Sequence, residues 1–327
     1  MNLDDKYKLE DKDTYLFSPK DCIDIMLSEF KSGKVRGTTT HCKELDQCWT
    51  WRKQEANIWT GYANEGKSLY LKQLCLIKAL EDGWRFVFCS PEDFPPEEFY
   101  DDLIHTLAGQ TTDNFYDNVM SEELYKYCYS LLKDKFLFLY VKPPHNTIRG
   151  TLEEFKKLCK TQKIDACIID PLLKFARPKD FSERDDIYAS YIGSICIDFA
   201  RQTNTSFHLV MHQVTPVIEK ESGKYPEPSM YRIKGGGSWS DGFDNVLSVW
   251  RTNYGNDKMD TEVQFASQKI KKQKLTGIPQ RFKLEFNRKT NRYCYKETHL
   301  PIFNFDKFLK PFNKTRKTKI NNEKSNE

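Results

Sequence analysis

The chain has 327 residues, of which 39% are hydrophobic and 14% aromatic, enough for one large α/β domain with appendages or two small domains. A formal net charge of +4 means that any surface for nucleic acid has to be local. The sequence shows no apolar run long enough for a membrane span, no apolar signal region at its start and no Cys-x-x-Cys pair among its ten cysteines. It therefore predicts a cytoplasmic protein with reduced thiols.

The first 35 residues are predicted to form a polar segment that ends in one helix. Ser18 followed by Pro19 is typical of a helix start, with a capping residue before a proline at the first helical position. We expect this helix to continue to about Lys31. Its apolar residues have the spacing of one helical face, and they are Ile23, Met26, Leu27 and Phe30.

Residues 61–68, with the sequence GYANEGKS, match the phosphate-binding loop pattern of a glycine, four residues and Gly-Lys-Ser. The glycines let several backbone N–H groups point at one anion. Lys67 is placed to reach the β- and γ-phosphates of a nucleotide, and the Ser68 hydroxyl to ligate Mg²⁺. The predicted nucleotide-binding residues here are Gly61, Asn64, Glu65, Gly66, Lys67, Ser68 and Leu69.

Continuous apolar runs alternate with helical stretches along the middle of the chain, which predicts a mostly parallel sheet covered by helices on both faces. The predicted strands are Ala56–Thr60, Arg85–Cys89, Phe136–Tyr140, Ala166–Asp170, Phe207–Met211 and Asn245–Trp250. The predicted helices are Leu69–Leu80, Glu97–Ala108, Ser121–Leu132, Leu152–Thr161 and Asp186–Gln202. After residue 260 the pattern changes to antiparallel strands at Glu262–Lys269, Phe282–Phe286 and Arg292–Tyr295.

The whole chain is therefore divided into a leading segment and helix at 1–35, an α/β core at 36–300 and a basic, disordered tail at 301–327. The tail is assigned from its cations, which stand without acidic neighbours. They are Lys307, Lys310, Lys314, Arg316, Lys317 and Lys319.

Polar side chains stand at the carboxyl ends of three predicted strands, where ligands of open α/β sheets gather. Asp170 is predicted to hold Mg²⁺. Glu92 or Asp93 is predicted to activate the attacking water. His212 or Gln213 is predicted to sense the γ-phosphate, and the spacing does not choose between them.

The order of these pieces resembles the RecA-like motor domain of DnaB-type replicative helicases, especially the Twinkle and phage helicase-primase branch. Thr38–Asp46 is similar to the family's Thr-Gly-x-x-x-Leu-Asp segment. Residues 90–93 stand where the family has Ser-Leu-Glu-Met, whose Glu is the catalytic base, which favours Glu92. Residues 168–171 resemble the Asp-Pro form of the Mg²⁺ motif. Either His212 or its neighbour occupies the sensor position.

Residues 237–246 look like the family's Gly-Ser-x-x-x-x-Ala-Asp-x-Val segment, with Phe243 in the Ala place. The resemblance implies that the preceding loop holds single-stranded DNA in a ring channel. Its cations attract phosphates, and its glycines allow close backbone approach. The implied DNA-binding residues are Lys220, Lys224, Arg232, Lys234, Gly235 and Gly236.

Residues 269–277 resemble the family's Lys-x-Arg segment, whose Arg is a finger inserted into the ATP site of the neighbouring subunit. Lys271 stands where that Arg is expected and keeps the charge without the forked donor geometry. Lys269 and Lys271 are therefore expected to complete a neighbour's site, and Arg281 is a possible substitute. The resemblance implies that the leading helix packs on the adjacent subunit.

The resemblance implies an ATP-dependent helicase that uses ATP or another NTP with Mg²⁺, moves 5′→3′ on single-stranded DNA and unwinds forked duplexes as a homo-hexamer. It implies a bacterial or phage-infected cytosol and a separate primase partner, because no primase segment is present. Two alternatives stay open: a RecA/RadA-type recombination ATPase, and a nucleotide-gated loader or regulatory protein with weak turnover. A small-molecule kinase would explain the phosphate loop alone.

Overall fold

Apolar runs form the strands of the computed structural model, which describes residues 14, 16–181, 184–218 and 222–312. The strands are β1 Ala56–Gly61, β2 Phe86–Cys89, β3 Phe136–Phe138, β4 Ala166–Ile169, β5 Ser206–His212, β6 Asn245–Trp250, β7 Glu262–Ile270, β8 Arg281–Asn287 and β9 Arg292–Tyr295. The helices are α1 Pro19–Ser32, α2 Lys43–Cys48, α3 Lys67–Asp82, α4 Pro96–Ala108, α5 Glu122–Leu132, α6 Ile148–Thr161, α7 Asp185–Thr203, α8 Ser238–Asp241 and α9 Gln273–Thr276.

The strands form one sheet in the order β3-β2-β4-β5-β1-β6-β7-β8-β9. Pairing is parallel from β3 through β6 and antiparallel from β6 through β9. The carboxyl ends of β1, β2, β4 and β5 therefore share one edge of the sheet. This architecture confirms the predicted fold class, a mostly parallel α/β sheet flanked by helices with antiparallel strands at its C-terminal end.

Each face of the sheet buries its own apolar cluster. On one side α3, α4 and α5 pack with the antiparallel strands and with Phe303 and Phe305 from the C-terminal segment. On the other side α6, α7 and α8 pack against the central parallel strands. Because both faces are covered, the buried strands read in the sequence as nearly continuous hydrophobic runs.

The observed elements match the predicted ones closely, and the differences have local causes. Helix α6 begins at Ile148 and not at Leu152 because Thr147 caps it, accepting a hydrogen bond from the Gly150 N–H. Strand β3 ends at Phe138, two residues before the predicted end, and the Leu139 N–H still donates to the Phe88 carbonyl.

Helix α1 forms as expected, with Ser18 and Asp21 in a reciprocal capping box. Much of its apolar face stays exposed in the described part of the chain. Ile25 is the residue of α1 that is buried, whereas Phe30 is 87% exposed. The other three residues of the predicted face are exposed too, namely Ile23, Met26 and Leu27.

The C-terminal segment differs from the prediction of a tail beginning at residue 301. Ile302, Phe303, Phe305 and Leu309 are buried in the core, and Lys307 pairs with Glu81. The disordered tail was predicted from the basic residues of this segment, and the apolar residues between them were not taken into account. Residues 313–327, which hold the rest of the predicted tail, lie outside the described residues, as do 1–13 and 15 of the leading segment. In the described parts of the chain, no helix is both long enough and apolar enough to cross a bilayer.

Candidate nucleotide-binding site

The predicted phosphate loop lies between the end of β1 at Gly61 and the start of α3 at Lys67. Asn64 and Gly66 both have left-handed backbone conformations, with φ of 62° and 84°. A Cβ on Gly66 would lie 2.3 Å from the Tyr293 hydroxyl, so this position requires glycine for space as well as for φ. The loop thus curls in front of a helix N-terminus, an arrangement suited to an anion.

Lys67 is only 5% exposed and lies against its own loop. Its Nζ donates to the Tyr62 carbonyl at 2.9 Å and lies 3.5 Å from Nδ1 of His212. Burial lowers the pKa of Lys67, and nearby carboxylates, Asp170 foremost, partly oppose that effect. A buried ammonium among these groups is positioned for phosphate oxygens.

Asp170 follows β4 and reaches Ser68 in the first turn of α3. The Ser68 side chain hydrogen bonds to the Asp170 carboxylate, and burial raises the pKa of Asp170 to about 6. A hydroxyl beside a buried carboxylate is an oxygen ligand pair that fits Mg²⁺. The divalent charge would offset the cost of keeping this carboxylate ionised.

The two acids after β2 have different surroundings. Asp93 accepts a hydrogen bond from the Ser90 hydroxyl at 2.7 Å and pairs with the buried Lys72 ammonium at 2.7 Å. Glu92 is 44% exposed and contacts the Lys174 ammonium at 3.3 Å. Asp93 is thus engaged within the fold, and Glu92 is the acid that faces the open side.

His212 and Gln213 also point in different directions. His212 ends β5 opposite Gly61, and burial together with Lys67 lowers its pKa to about 4. It is therefore neutral at pH 7. The Gln213 amide donates to the Thr60 hydroxyl at 2.9 Å and to the Ser229 carbonyl at 3.0 Å. Of the two candidates, the structure brings His212 to the phosphate loop and ties Gln213 into the fold.

Glu65 and Leu69 support the loop from behind. Glu65 has no exposed surface, and its Oε2 accepts from the Arg251 N–H at 3.4 Å at the end of β6. Burial raises the pKa of Glu65 to about 7. Leu69 packs against the apolar cluster beneath α3. The contacts of both side chains are thus made with the fold behind the loop.

Tyr293, Lys72 and Lys174 belong to this region and were not predicted from the sequence. The Tyr293 hydroxyl on β9 donates to the Gly66 carbonyl at 2.9 Å, and its backbone N–H donates to the Gln73 side chain at 2.8 Å. These contacts join residues far apart in the chain. For Lys72, the sequence does offer one signal, because a lysine stands among the apolar residues of the helix that follows the phosphate loop.

The predicted DNA-binding loop is joined directly to the sensor strand. The Lys234 N–H donates to the His212 carbonyl and the Val214 N–H donates to the Arg232 carbonyl, both at 2.9 Å. Lys224, Arg232 and Lys234 are exposed, and Gly235 and Gly236 have positive φ of 98° and 106°. Lys220 lies outside the described residues.

Lys269 and Lys271 lie at the other end of the sheet from the phosphate loop of their own chain. Strand β7 runs antiparallel to β6, which places Lys269 opposite Val246 and the amino ends of the parallel strands. The Lys269 Nζ donates to the Phe243 carbonyl at 2.8 Å. The Lys271 ammonium lies 3.5 Å from the Asp244 carboxylate and is 51% exposed. The structure therefore does not bring either lysine to the chain's own site.

Comparison by sequence matches the chain to no protein-family model and to no curated protein. Comparison by structure gives the ATPase domain of a helicase at 13% identity and a TM-score of 0.69, covering 86% of this chain and 99% of that one. It also gives a structure described as "A DnaB-Like Replicative Helicase And Its Interactions With Primase" at 12% identity and a TM-score of 0.67, covering 85% of this chain and 68% of that one. The chain therefore has the RecA-like ATPase fold found in the ATPase domains of DnaB-type helicases.

Proposed function

We propose that this protein is an ATP-dependent DNA helicase that moves 5′→3′ on single-stranded DNA and separates forked duplexes. The observation that carries the proposal is the direct backbone link between the nucleotide site and the basic loop. His212, 3.5 Å from Lys67, accepts from the Lys234 N–H through its carbonyl. The His212 side chain would thus lie beside the bound phosphates, while its backbone carbonyl is hydrogen bonded to Lys234 of the basic loop.

The nucleotide would be ATP or another NTP with Mg²⁺. The backbone of residues 61–66 and the Lys67 ammonium would hold the phosphates, while Ser68 and Asp170 would hold the ion. Mg²⁺ bound there would supply charge to the phosphate oxygens. Asp170, with its pKa raised by burial to about 6, gains most from a cation beside it.

Glu92 is the proposed base because it is the more exposed of the two acids after β2, at 44% against 22% for Asp93, which is held by Lys72 and Ser90. It would accept a proton from the water whose oxygen bonds to the γ-phosphorus as the bond to the ADP oxygen breaks. Glu92 follows β2, whose carboxyl end shares an edge of the sheet with the end of β1, and its negative charge favours a higher pKa for both Lys67 and His212. Neutral His212 would donate a hydrogen bond to a phosphate oxygen and report its loss.

A homo-hexameric ring would explain where the two finger candidates lie. Lys269 and Lys271 sit at the end of the sheet remote from their own phosphate loop, so a head-to-tail neighbour would receive them. The exposed face of α1 would pack on the adjacent subunit. The proposal includes a separate primase as partner; one structurally similar protein is described together with primase.

The test is ATP hydrolysis with and without single-stranded DNA, paired with strand displacement on a forked duplex. We expect wild-type turnover to rise with DNA and the fork to open. Glu92→Gln should lower hydrolysis by about 10²–10⁴-fold, since it removes the proton acceptor. Glu97→Gln, an exposed acid at the start of α4, is the matched control and should behave as wild type.

Two other results would contradict this proposal, and each would favour a different function. Pairing or annealing of strands without unwinding would favour a recombination ATPase of the RecA/RadA type. Turnover that stays weak with DNA and is insensitive to Glu92→Gln would favour a nucleotide-gated loader or regulatory protein. The substitution of Lys271 for the family's Arg is the feature that keeps the second alternative open.

A further inference from the structure

The proposed base does not stand free in this structure. The Glu92 carboxylate lies 3.3 Å from the Lys174 ammonium, and this is the ion pair that Glu92 makes within the described residues. Lys174 follows Asp170 closely in the chain, in the helical turn Leu172–Lys174. One ion pair thus joins the segment after β2, which carries the base, to the segment after β4, which carries the proposed Mg²⁺ ligand.

Residues on both sides of this ion pair are held by contacts within the fold. On one side, Asp93 is fixed by Lys72 and by the Ser90 hydroxyl, which sets the position of its neighbour Glu92. On the other side, the Lys174 N–H donates to the Pro171 carbonyl at 3.2 Å. These contacts fix the two chain segments from which Glu92 and Lys174 reach each other.

The ion pair is nevertheless open to competition from solvent and from a ligand. The Lys174 side chain is 49% exposed and that of Glu92 is 44% exposed. An ion pair this exposed stabilises the protein little, so a stronger anion can take the lysine at small cost. A phosphate diester of a nucleic acid is such an anion.

The surroundings of Lys174 favour a phosphate as that competitor. Residues adjoining Lys174 line a cavity of about 340 Å³ together with Arg177, His212, Lys234 and Gly235. The lining has two cations, Arg177 and Lys234, and one acid, Asp185. Asp185 is paired with Arg177, so Lys234 gives the lining a net positive charge. Lys234 and His212 line this cavity together, and the positive charges of Lys234 and Lys174 both lower the pKa of His212.

We propose that Lys174 is a positioning residue that holds Glu92 away from the water until single-stranded DNA binds. A DNA phosphate beside Lys234 draws the Lys174 ammonium to itself, and the released Glu92 carboxylate turns to the attacking water. The inference rests on the proposed function, because it assumes that Glu92 is the base and that the basic loop binds DNA. It adds the device that makes hydrolysis depend on DNA.

Equilibrium binding of a labelled oligothymidylate without nucleotide tests the competition without any activity. If Glu92 and DNA share Lys174, then Glu92→Gln frees the lysine and tightens binding by about two- to fivefold. In the Lys174→Met background the same Glu92→Gln change has no lysine to free, and the tightening disappears. Glu97→Gln measures how much any lost negative charge contributes, and we expect it to contribute less than Glu92→Gln.

Hydrolysis gives the second readout. Lys174→Met should raise the DNA-free rate and reduce the fold-stimulation by DNA, while Lys174→Arg, which keeps the charge, should retain both wild-type values. Lys179→Met removes an exposed cation from the same segment and should change neither rate. A merely structural role for Lys174 would lower the rates with and without DNA together.

The proposal is overturned if Glu92→Gln tightens binding equally with and without Lys174, or no more than Glu97→Gln does. It is also overturned if Lys174→Met leaves the DNA-free rate unchanged or lowers it. In those cases a wild-type protein that hydrolyses ATP faster with DNA keeps the proposed function. A wild-type protein that fails to bind the oligonucleotide at all ends both.

Discussion

Two buried aspartates flank β4, and their neighbours give the two carboxylates opposite effects on stability. Asp165, before the strand, lies 2.9 Å from the Lys53 ammonium and accepts from the Arg85 N–H at 3.0 Å. Asp170, after the strand, is also buried, but its pKa is raised to about 6 by burial and next by Asp93. The first carboxylate is stabilised by the fold, and the second stays costly unless a cation joins it.

The Asp170→Asn change should therefore stabilise the protein without nucleotide at pH 8. A carboxyl whose folded pKa exceeds its unfolded value lowers stability as pH rises from about 4 to about 6, and the full cost remains above that range. Removing the charge should add about 1–3 kcal/mol to the free energy of unfolding. Thermal unfolding at pH 8 and at pH 5 measures this, and the gain should be smaller at pH 5.

The matched control is Asp165→Asn, which changes the other end of the same strand. It leaves Lys53 and the Arg85 N–H with a weaker partner and should lower the free energy of unfolding by about 1–3 kcal/mol. Asp170→Asn should also remove Mg²⁺-dependent hydrolysis. Equal destabilisation by both substitutions would show that the Asp170 carboxylate is not the costly group described here.

At the scale of elements, the sequence was sufficient for the sheet and for the motif that opens α3. Residues close together in the chain are enough to recognise an apolar strand, the glycine pattern or an acid at a strand end. The strands and helices predicted from them match the observed elements. The approach of β9 to the phosphate loop was not predicted, because the Tyr293–Gly66 contact joins distant parts of the chain. Tyr293 carries no local signal that separates it from any other strand tyrosine.

Strand β9 should therefore influence how tightly the phosphate loop binds a nucleotide. Tyr293→Phe removes the hydroxyl that donates to the Gly66 carbonyl, so the loop is less ordered before nucleotide binds. We expect nucleotide affinity to fall by about two- to tenfold, the effect of one hydrogen bond. Titration with a fluorescent ATP analogue in the presence of Mg²⁺ measures the change.

Tyr295→Phe is the control on the same strand. The Tyr295 side chain hydrogen bonds to Glu44, away from the phosphate loop. Its loss should leave nucleotide affinity at the wild-type value, even if it lowers the unfolding temperature. Equal losses of affinity in the two variants would mean that β9 acts through general stability and not through the Gly66 carbonyl.

At the scale of the whole molecule, α1 has an exposed apolar face that contacts within a single chain do not explain. Its spacing predicted an apolar face, and the helix forms, yet Met26, Leu27 and Phe30 are exposed to solvent. Three large apolar side chains on one helical face favour burial against another surface, at about 1.5–3 kcal/mol for each side chain fully buried. A second copy of this chain is the occupant that a ring assembly would supply.

The double substitution Met26→Ser and Phe30→Ser should therefore dissociate the assembly without unfolding the subunit, because α1 contacts its own domain through Ile25. Light scattering after size exclusion, at matched concentrations with Mg²⁺ and nucleotide, should show the wild type as an oligomer and the variant as a smaller species. The control, Asp24→Ser with Ser28→Asn, changes exposed polar positions of α1 and should keep the oligomer. Because the contact is apolar, raising the salt concentration should not dissociate the wild type as the double substitution does. An oligomer that survives the double substitution would place the subunit interface elsewhere and leave the apolar face of α1 for a different partner.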